Sequence, residues 1–241
     1  MTGDLVYGRR PVHEALRGPR QVLELRVSDR ALRAEPWLRE EANVRPRLLA
    51  ERELTVVAGT PDHQGVVALC EPYRYAAAEE LASGPDPLLV CLDGVTDPRN
   101  LGAVCRSVEG AGATGVVLPA HGSAHVTAAV CRASAGAVEH LRLAVVKNLS
   151  RFLSDLKRPT LWIWATDADA ATSMWSADLS GGVAFVLGAE GKGLRPLVRK
   201  TCDDEVAIPL GGRVESLNVS VAAALLLYEA KRQRLSRSEH G

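Results

Sequence analysis

An amide and a guanidinium stand close together in Asp97-Pro98-Arg99-Asn100-Leu101-Gly102-Ala103-Val104-Cys105-Arg106, where an apolar run gives way to polar residues. Asn100 can donate and accept hydrogen bonds, and the fork of Arg106 suits a phosphate or an oriented hydroxyl. Two further stretches have the composition of ligand loops. Leu187-Gly188-Ala189-Glu190-Gly191-Lys192-Gly193-Leu194 sets a carboxylate among glycines. Ile208-Pro209-Leu210-Gly211-Gly212-Arg213-Val214-Glu215-Ser216-Leu217-Asn218-Val219-Ser220-Val221-Ala222 runs from an apolar strand through a polar loop into an apolar helix. Glycine lets a chain wrap closely around a small molecule, and Ser216, Asn218 and Ser220 place donors and acceptors at the helix entrance. Taken alone, each residue has a plainer reading: an arginine at a helix start is commonly a surface ion pair, and Glu190 suits a simple turn. Three such loops in order, each behind an apolar strand, instead point to one shared ligand site. In this reading residues 101–105 turn from a strand end into a helix whose first turn carries Arg106.

Other candidate chemistries fail on their context. Gly110-Ala111-Gly112-Ala113-Thr114-Gly115 fits the dinucleotide pattern G-x-G-x-x-G, but it follows a helical segment and precedes a strand, the reverse of the order such a site needs. It reads as a helix end and a turn. The stretch from Gly188 to Gly193 lacks the spacing of a triphosphate loop. His121 and His125 are spaced i, i+4, yet no neighbouring carboxylate or cysteine completes a ligand set, and no metal is expected. Trp162 and Trp164 alternate on an expected strand and read as packing residues. The basic stretch 231–237 reads as a solvated helix end.

The chain has 241 residues and a formal net charge of +0, so any nucleic-acid surface must be a local patch. Five cysteines, Cys70, Cys91, Cys105, Cys131 and Cys202, are widely spaced and odd in number, which argues against a disulfide framework and a zinc site and suits a reducing cytoplasm. No targeting segment and no membrane span are expected.

These loops need strands to hold them. Leu88–Leu92, Val116–Leu118, Leu143–Val146, Leu161–Ala165, Val183–Leu187 and Val206–Pro209 are continuous apolar runs separated by stretches long enough for helices, the pattern of an α/β domain with a parallel sheet covered on both faces. Before them, Pro11–Arg17 and Glu35–Asn43 read as helical, and Val22–Val27, Leu54–Val57 and Gly65–Leu69 as strands. The Ala-, Pro- and acid-rich stretch in between reads as a linker with a short helix. The expected division is a small α/β domain over 1–72, a linker over 73–86 and a larger α/β domain over 87–241.

Together, Asn100-Leu-Gly-Ala-x-x-Arg106, Leu187-Gly-Ala-Glu-Gly-Lys-Gly-Leu194 and Ile208-Pro-Leu-Gly through Ser216-Leu-Asn-Val-Ser220 resemble the three signature motifs of the SpoU (TrmH-type) RNA ribose 2′-O-methyltransferases of the SPOUT superfamily. The resemblance covers 88–234, including Ser134-Ala-Gly-Ala-Val-Glu-His140. The opening Val6-Tyr-Gly8-Arg-Arg-Pro-Val-His-Glu14-Ala-Leu16 is similar to that of the ribosomal-RNA branch, whose small N-terminal domain resembles ribosomal protein L30e.

The resemblance implies a deep trefoil knot in the C-terminal domain, S-adenosylmethionine as cofactor and a homodimer whose active site is completed across the interface. It implies Arg106 as the catalytic arginine, with Asn100, Glu190, Ser216 and Asn218 positioning the ribose or holding Arg106. The cofactor would touch Gly188, Ile208 and Leu217, with Leu187, Gly193, Leu210 and Asn218 nearby. Arg9, Arg10, Arg99 and Arg106 would steer RNA, and Tyr7 would stack on a base or simply pack. Leu210 stands where the family often has methionine, and Val108 where alanine is frequent. Neither departure removes a polar group. The substrate implied is a guanosine of 23S ribosomal RNA. The alternatives are a transfer RNA, a ribosomal site of antibiotic resistance, or an idle RNA-binding assembly factor.

Overall fold

In the computed structural model residues 3–189 and 191–239 are described, and Glu190 lies outside the described residues. The elements in order are β1 (Asp4–Tyr7), α1 (Arg9–Arg17), β2 (Val22–Val27), α2 (Asp29–Ala34), α3 (Trp37–Glu40), β3 (Arg47–Leu48), α4 (Glu51–Ala58), β4 (Val66–Cys70), α5 (Ala78–Leu81), β5 (Leu88–Asp93), α6 (Pro98–Ala111) and β6 (Gly115–Pro119). Then follow α7 (Ala128–Ala133), β7 (Leu143–Val146), α8 (Leu149–Leu156), β8 (Leu161–Thr166), β9 (Thr172–Ser173), β10 (Gly182–Gly188), α9 (Pro196–Thr201), β11 (Asp204–Ala207) and α10 (Val219–Glu239).

Two units divide the chain: one holds residues up to Arg74 together with His125–His140, and the other holds Tyr75–Ala124 and Leu141 onward. The contiguous division expected from the sequence is corrected twice. Residues 125–140 join the first unit because its buried Arg20 finds its carboxylate there. The stretch expected as a linker belongs from Tyr75 to the second unit, where Ala76 N–H donates to Leu143 O at 2.8 Å and α5 packs against β7.

The first unit is built on a four-stranded sheet in the order β1-β4-β2-β3. Its pairings are antiparallel except β2 with β3. Tyr7, half-buried in β1, pairs with Val67. α1 buries Pro11, Val12 and Ala15, packing on β1 and β4, and α7 packs on β1. Helix α4 overturns the strand expected at Leu54–Val57. The β-branched run Thr55-Val56-Val57 favours extended chain, but Glu53 accepts the Ala50 N–H at 2.8 Å to close the first turn, and Gly59 ends the helix in the left-handed conformation. Only Leu54 of this helix is buried, and Val56 is 82% exposed. The helix expected over Glu35–Asn43 is shortened to α3, which starts behind Pro36, and a further helix, α2, capped by Ser28, precedes it.

At the centre of this unit Arg20 and Glu139 form a buried ion pair. Arg20 Nε donates to Glu139 Oε2 at 3.0 Å, and its Nη2 makes a second, shorter bond to Oε1. Burial works to lower the Arg20 pKa, but the charge and hydrogen bonding of Glu139 outweigh it and hold it above its usual value. Around the pair, Asp4 Oδ2 accepts from Arg20 Nη1 at 3.3 Å and from Tyr73 N–H at 2.8 Å. Burial pushes the Cys70 and Cys131 thiols up to about 12, which leaves them unreactive at neutral pH.

The second unit is a seven-stranded sheet in the order β7-β6-β5-β10-β8-β11-β9, parallel at every pairing. All six residues of β5 are buried, as they must be in a strand covered on both faces. Leu89, Cys91, Ala184 and Val186 face a core shared with Leu81, Phe152, Leu153 and Val198 from α5, α8 and α9. The alternate residues point to the opposite face, where α6 packs against α10 and α10 against β10. The apolar runs expected as strands all lie in this sheet. The last is shifted to Asp204–Ala207, because Pro209 has no N–H to give a ladder.

Glu139→Gln leaves the Arg20 guanidinium buried against a neutral partner. The expected loss is about 3 kcal/mol of stability in urea unfolding followed by circular dichroism.

Candidate functional site

In an open parallel sheet, ligands sit beyond the carboxyl ends of the strands, where the strand order reverses. Here the chain runs outward from β5 through β6 to β7, crosses to β8, and returns to insert β10 between β5 and β8. The reversal places the ends of β5, β10, β8 and β11 together. Each of the three loops singled out from the sequence leaves this edge.

The loop after β10 is held by close backbone contact. A Cβ on Gly188 would lie 2.2 Å from Gly193 C and 2.6 Å from Leu194 N, so only glycine fits there. Gly193 N–H donates to Ala189 O at 2.9 Å, and Gly191 and Gly193 adopt left-handed φ of 72° and 61°. The far end of the loop is tied to β5 by Asp93, which is 1% exposed. Its carboxylate accepts from the Arg195 N–H at 2.8 Å and from Arg195 Nε at 2.7 Å.

The third loop ends where Asn218 caps α10. Asn218 Oδ1 accepts the Ser220 N–H at 2.9 Å and the Ser220 hydroxyl at 2.6 Å, and its Nδ2 donates to Asn100 Oδ1 at 3.0 Å. Helix α10 therefore begins at Val219, with Leu217 still in the loop. Asn100 sits in the first turn of α6, behind the cap Asp97, which accepts the Arg99 N–H, and Pro98 at the first helical position. One hydrogen bond thus joins the entrances of two helices from distant parts of the sequence.

A cleft of about 450 Å³ opens between the second and third of these loops and the loop after β8. Leu187, Gly188, Gly193, Ile208, Leu210, Ser216 and Leu217, all named from the sequence, line it. Asn218 is behind the rim as a cap, not among the lining residues. Asp167 and Asp169, in the loop after β8, line the cleft as well and carried no signal in sequence. Asp167 pairs with Arg199 at 2.9 Å, and Arg199 also holds Glu205, whose carboxyl is kept below the usual range by that hydrogen bond. Asp93 and Arg195 were likewise missed, since a carboxylate at the end of an apolar run reads as a strand terminus.

Arg106 departs from the expected position. The Asp97-Pro98 start puts it about two turns inside α6 and not in its first turn. Its side chain is exposed, lies outside the cleft lining, and makes no ion pair among the described residues. Within one chain, then, the structure brings together Asn100, Asn218 and the cleft residues, and leaves Arg106 apart.

The SpoU rRNA methylase family matches residues 87–228, and the family described as RNA 2'-O ribose methyltransferase substrate binding matches residues 5–76. The 23S rRNA (guanosine-2'-O-)-methyltransferase RlmB of Burkholderia sp. is 45% identical over 87% of this chain and 86% of its own length. The RlmB of Vibrio vulnificus is 39% identical over 98% of this chain and 99% of its own. Among solved structures, the SpoU methyltransferase AviRb from Streptomyces viridochromogenes, in complex with the cofactor AdoMet, superposes with a TM-score of 0.83 at 27% identity, covering 96% of this chain and 90% of that one.

Removing the Asp93 carboxylate should loosen the loop that ends at Arg195. Asp93→Ala is expected to lose about 3 kcal/mol in urea unfolding. Asp93→Asn, which still accepts from the Arg195 N–H, should lose about 1 kcal/mol.

Proposed function

This chain belongs to the SpoU rRNA methylase family, and we propose that it transfers the methyl group of S-adenosylmethionine to the 2′-hydroxyl of a guanosine ribose in 23S ribosomal RNA. The observation that carries the reading is the cleft between the loops after β8, β10 and β11, lined by residues that match the second and third of the family's motifs. The named relatives, guanosine methyltransferases of 23S RNA at up to 45% identity, support the substrate. The N-terminal match supports a role for that unit in binding RNA. The deep trefoil knot belongs to the same reading, supported by similarity to AviRb. The lack of any helix long and apolar enough to cross a membrane, among the described residues, agrees with work in the cytoplasm.

The cleft suits the cofactor. Its volume falls within the range of small-molecule sites, roughly 300–1,000 Å³. Leu187, Ile208, Leu210 and Leu217 supply apolar walls, and the loop on either side of Gly188 supplies backbone donors and acceptors for an adenine edge and an amino-acid moiety. Bound there, S-adenosylmethionine supplies an electrophilic methyl on a sulfonium. The chain's task is to set a ribose hydroxyl in line with that methyl, since an alcohol is a weak nucleophile and gains most from orientation. Arg106 takes this orienting role, gripping the hydroxyl and a neighbouring phosphate. A guanidinium stays protonated in ordinary surroundings, and its fork matches phosphate. Ser216 at the cleft wall and the Asn100–Asn218 pair fix the loop that faces the ribose. Glu190 is carried in this role from the motif alone.

Because Arg106 lies outside the cleft of its own chain, it is read as serving the cleft of a second copy in a homodimer. Val221, Leu225 and Tyr228 support this: they form an exposed apolar stripe at i, i+4, i+7 on α10, the helix packed against the one that bears Arg106.

With methyl-labelled S-adenosylmethionine and unmodified 23S, 16S and transfer RNA, label should enter 23S RNA alone, at a ribose, and Arg106→Ala should lose it by at least about a hundredfold. Label in transfer RNA would move the substrate, and none in any RNA or ribosomal particle would sink the enzyme reading. A mixture of Arg106→Ala with Gly188→Ala, each inactive alone, should regain activity after subunit exchange if the site is shared. No recovery would place Arg106 and the cleft in one chain.

A further inference from the structure

Most arginines of the N-terminal unit are neutralised: Arg9 by Glu35, Arg17 by Glu41, Arg20 by Glu139, Arg26 by Glu24 and Arg33 by Asp29. Arg10, Arg30, Arg39, Arg45, Arg52 and Arg132 form no ion pair among the described residues; of these, Arg10 and Arg132 line a groove of about 460 Å³ at the start of α1. We propose that this groove grips the phosphodiester backbone of unpaired RNA, with Arg10 and Arg132 as the phosphate-binding pair.

The groove is constructed to present Arg132. Gly8 has φ of +98°, and a Cβ there would lie 2.8 Å from Arg132 Nη1, so the guanidinium rests directly over the glycine. Gln64 holds it from the side, accepting from Arg132 Nη1 at 3.0 Å. The same Oε1 accepts the Arg9 N–H at 3.1 Å, and Gln64 O accepts from Arg9 Nε at 3.3 Å. Gln64 does this from a φ of 54°, a conformation that side-chain-bearing residues seldom adopt. An amide orients a guanidinium without cancelling its charge, where a carboxylate would do both. Beside the arginines, His13 stacks on Trp37 with ring centroids 4.3 Å apart, and Glu35 fixes the Trp37 indole by a 2.7 Å hydrogen bond. One held, uncancelled guanidinium, with the exposed Arg10 next to it and a held aromatic wall beside them, suits a phosphate followed by an unstacked base. An acidic peptide would find the charges but no use for the wall.

This goes beyond the family match for substrate binding, which ends at residue 76. Arg132 lies within the methylase match, on the 125–140 segment that joins the N-terminal unit. The inference rests on the reading of RNA as substrate.

Filter binding of the full-length protein to an unmodified 23S RNA transcript, measured across salt concentrations, tests it. Arg10→Ala and Arg132→Ala should each weaken binding about tenfold and reduce the slope of log affinity against log salt by about one. Arg52→Ala, which removes an exposed arginine on α4, should do neither. Cofactor affinity by calorimetry and the thermal midpoint should stay at wild-type values, which separates lost contact from misfolding. Arg132→Lys should keep the salt slope while losing affinity, since it retains charge without the fork. Unchanged affinity in both alanine variants, or an equal loss in Arg52→Ala, overturns the proposal. So does competition by polyglutamate as strong as that by single-stranded polyuridylate, which would assign the groove to an acidic protein. A wild type that binds no RNA overturns the methyltransferase reading too, whereas a wild type that methylates 23S RNA beside equally competent alanine variants overturns this proposal alone.

Discussion

Asp93 ends a strand buried on both faces, and its carboxylate meets a charged partner by reaching Arg195, 102 residues further on. Much of the site depends on that contact. A buried carboxylate without a donor is strongly unfavourable, so the loop that supplies Arg195 is drawn back over the end of β5. The loop can follow only because Gly188 lets the chain fold onto Gly193. With this loop fixed between β5 and β8, one wall of the cleft is set before any ligand arrives. The opposite wall is set in the same manner by Asn218, whose single amide both starts α10 and reaches across to α6.

Charge is distributed with similar economy. The chain is neutral overall, and about half of its arginines pair with carboxylates of their own unit among the described residues. Where the others stand is therefore informative. Arg106 on α6 and the pair at the α1 groove are the positions proposed to meet RNA, although composition shows no excess of positive charge. For a neutral enzyme acting on RNA, local release from pairing takes the place of a basic surface.

The second unit was largely legible in sequence because its strands are buried on both faces and so read as unbroken apolar runs, Leu88–Leu92 and Val183–Leu187 above all. The cleft residues were legible for another reason: glycines and small polar residues after such runs have few roles other than wrapping a ligand. What failed was decided by tertiary contact or by local capping. Thr55-Val56-Val57 looks extended until Glu53 and Gly59 are seen closing a helix around it. Arg106 seemed to open a helix because Leu101-Gly102 resembles loop, whereas the Asp97-Pro98 cap had already begun it. Nothing local marks 125–140 as belonging with residues far upstream. Its assignment comes from Glu139 meeting Arg20 and from Gly136, where a Cβ would strike Glu14 at 2.6 Å.

That last arrangement bears on how the protein is made. A nascent chain leaves the ribosome N-terminus first, and units tend to fold as they emerge. The first 74 residues cannot complete their unit on emergence, because Arg20 is still without Glu139 and β1 without α7. The early chain must wait, partly ordered, while β5, α6 and β6 are synthesised. Assembly of the first unit is thereby timed to follow the first strands of the second, so a truncated translation product ending before residue 125 would carry a first unit that has not closed.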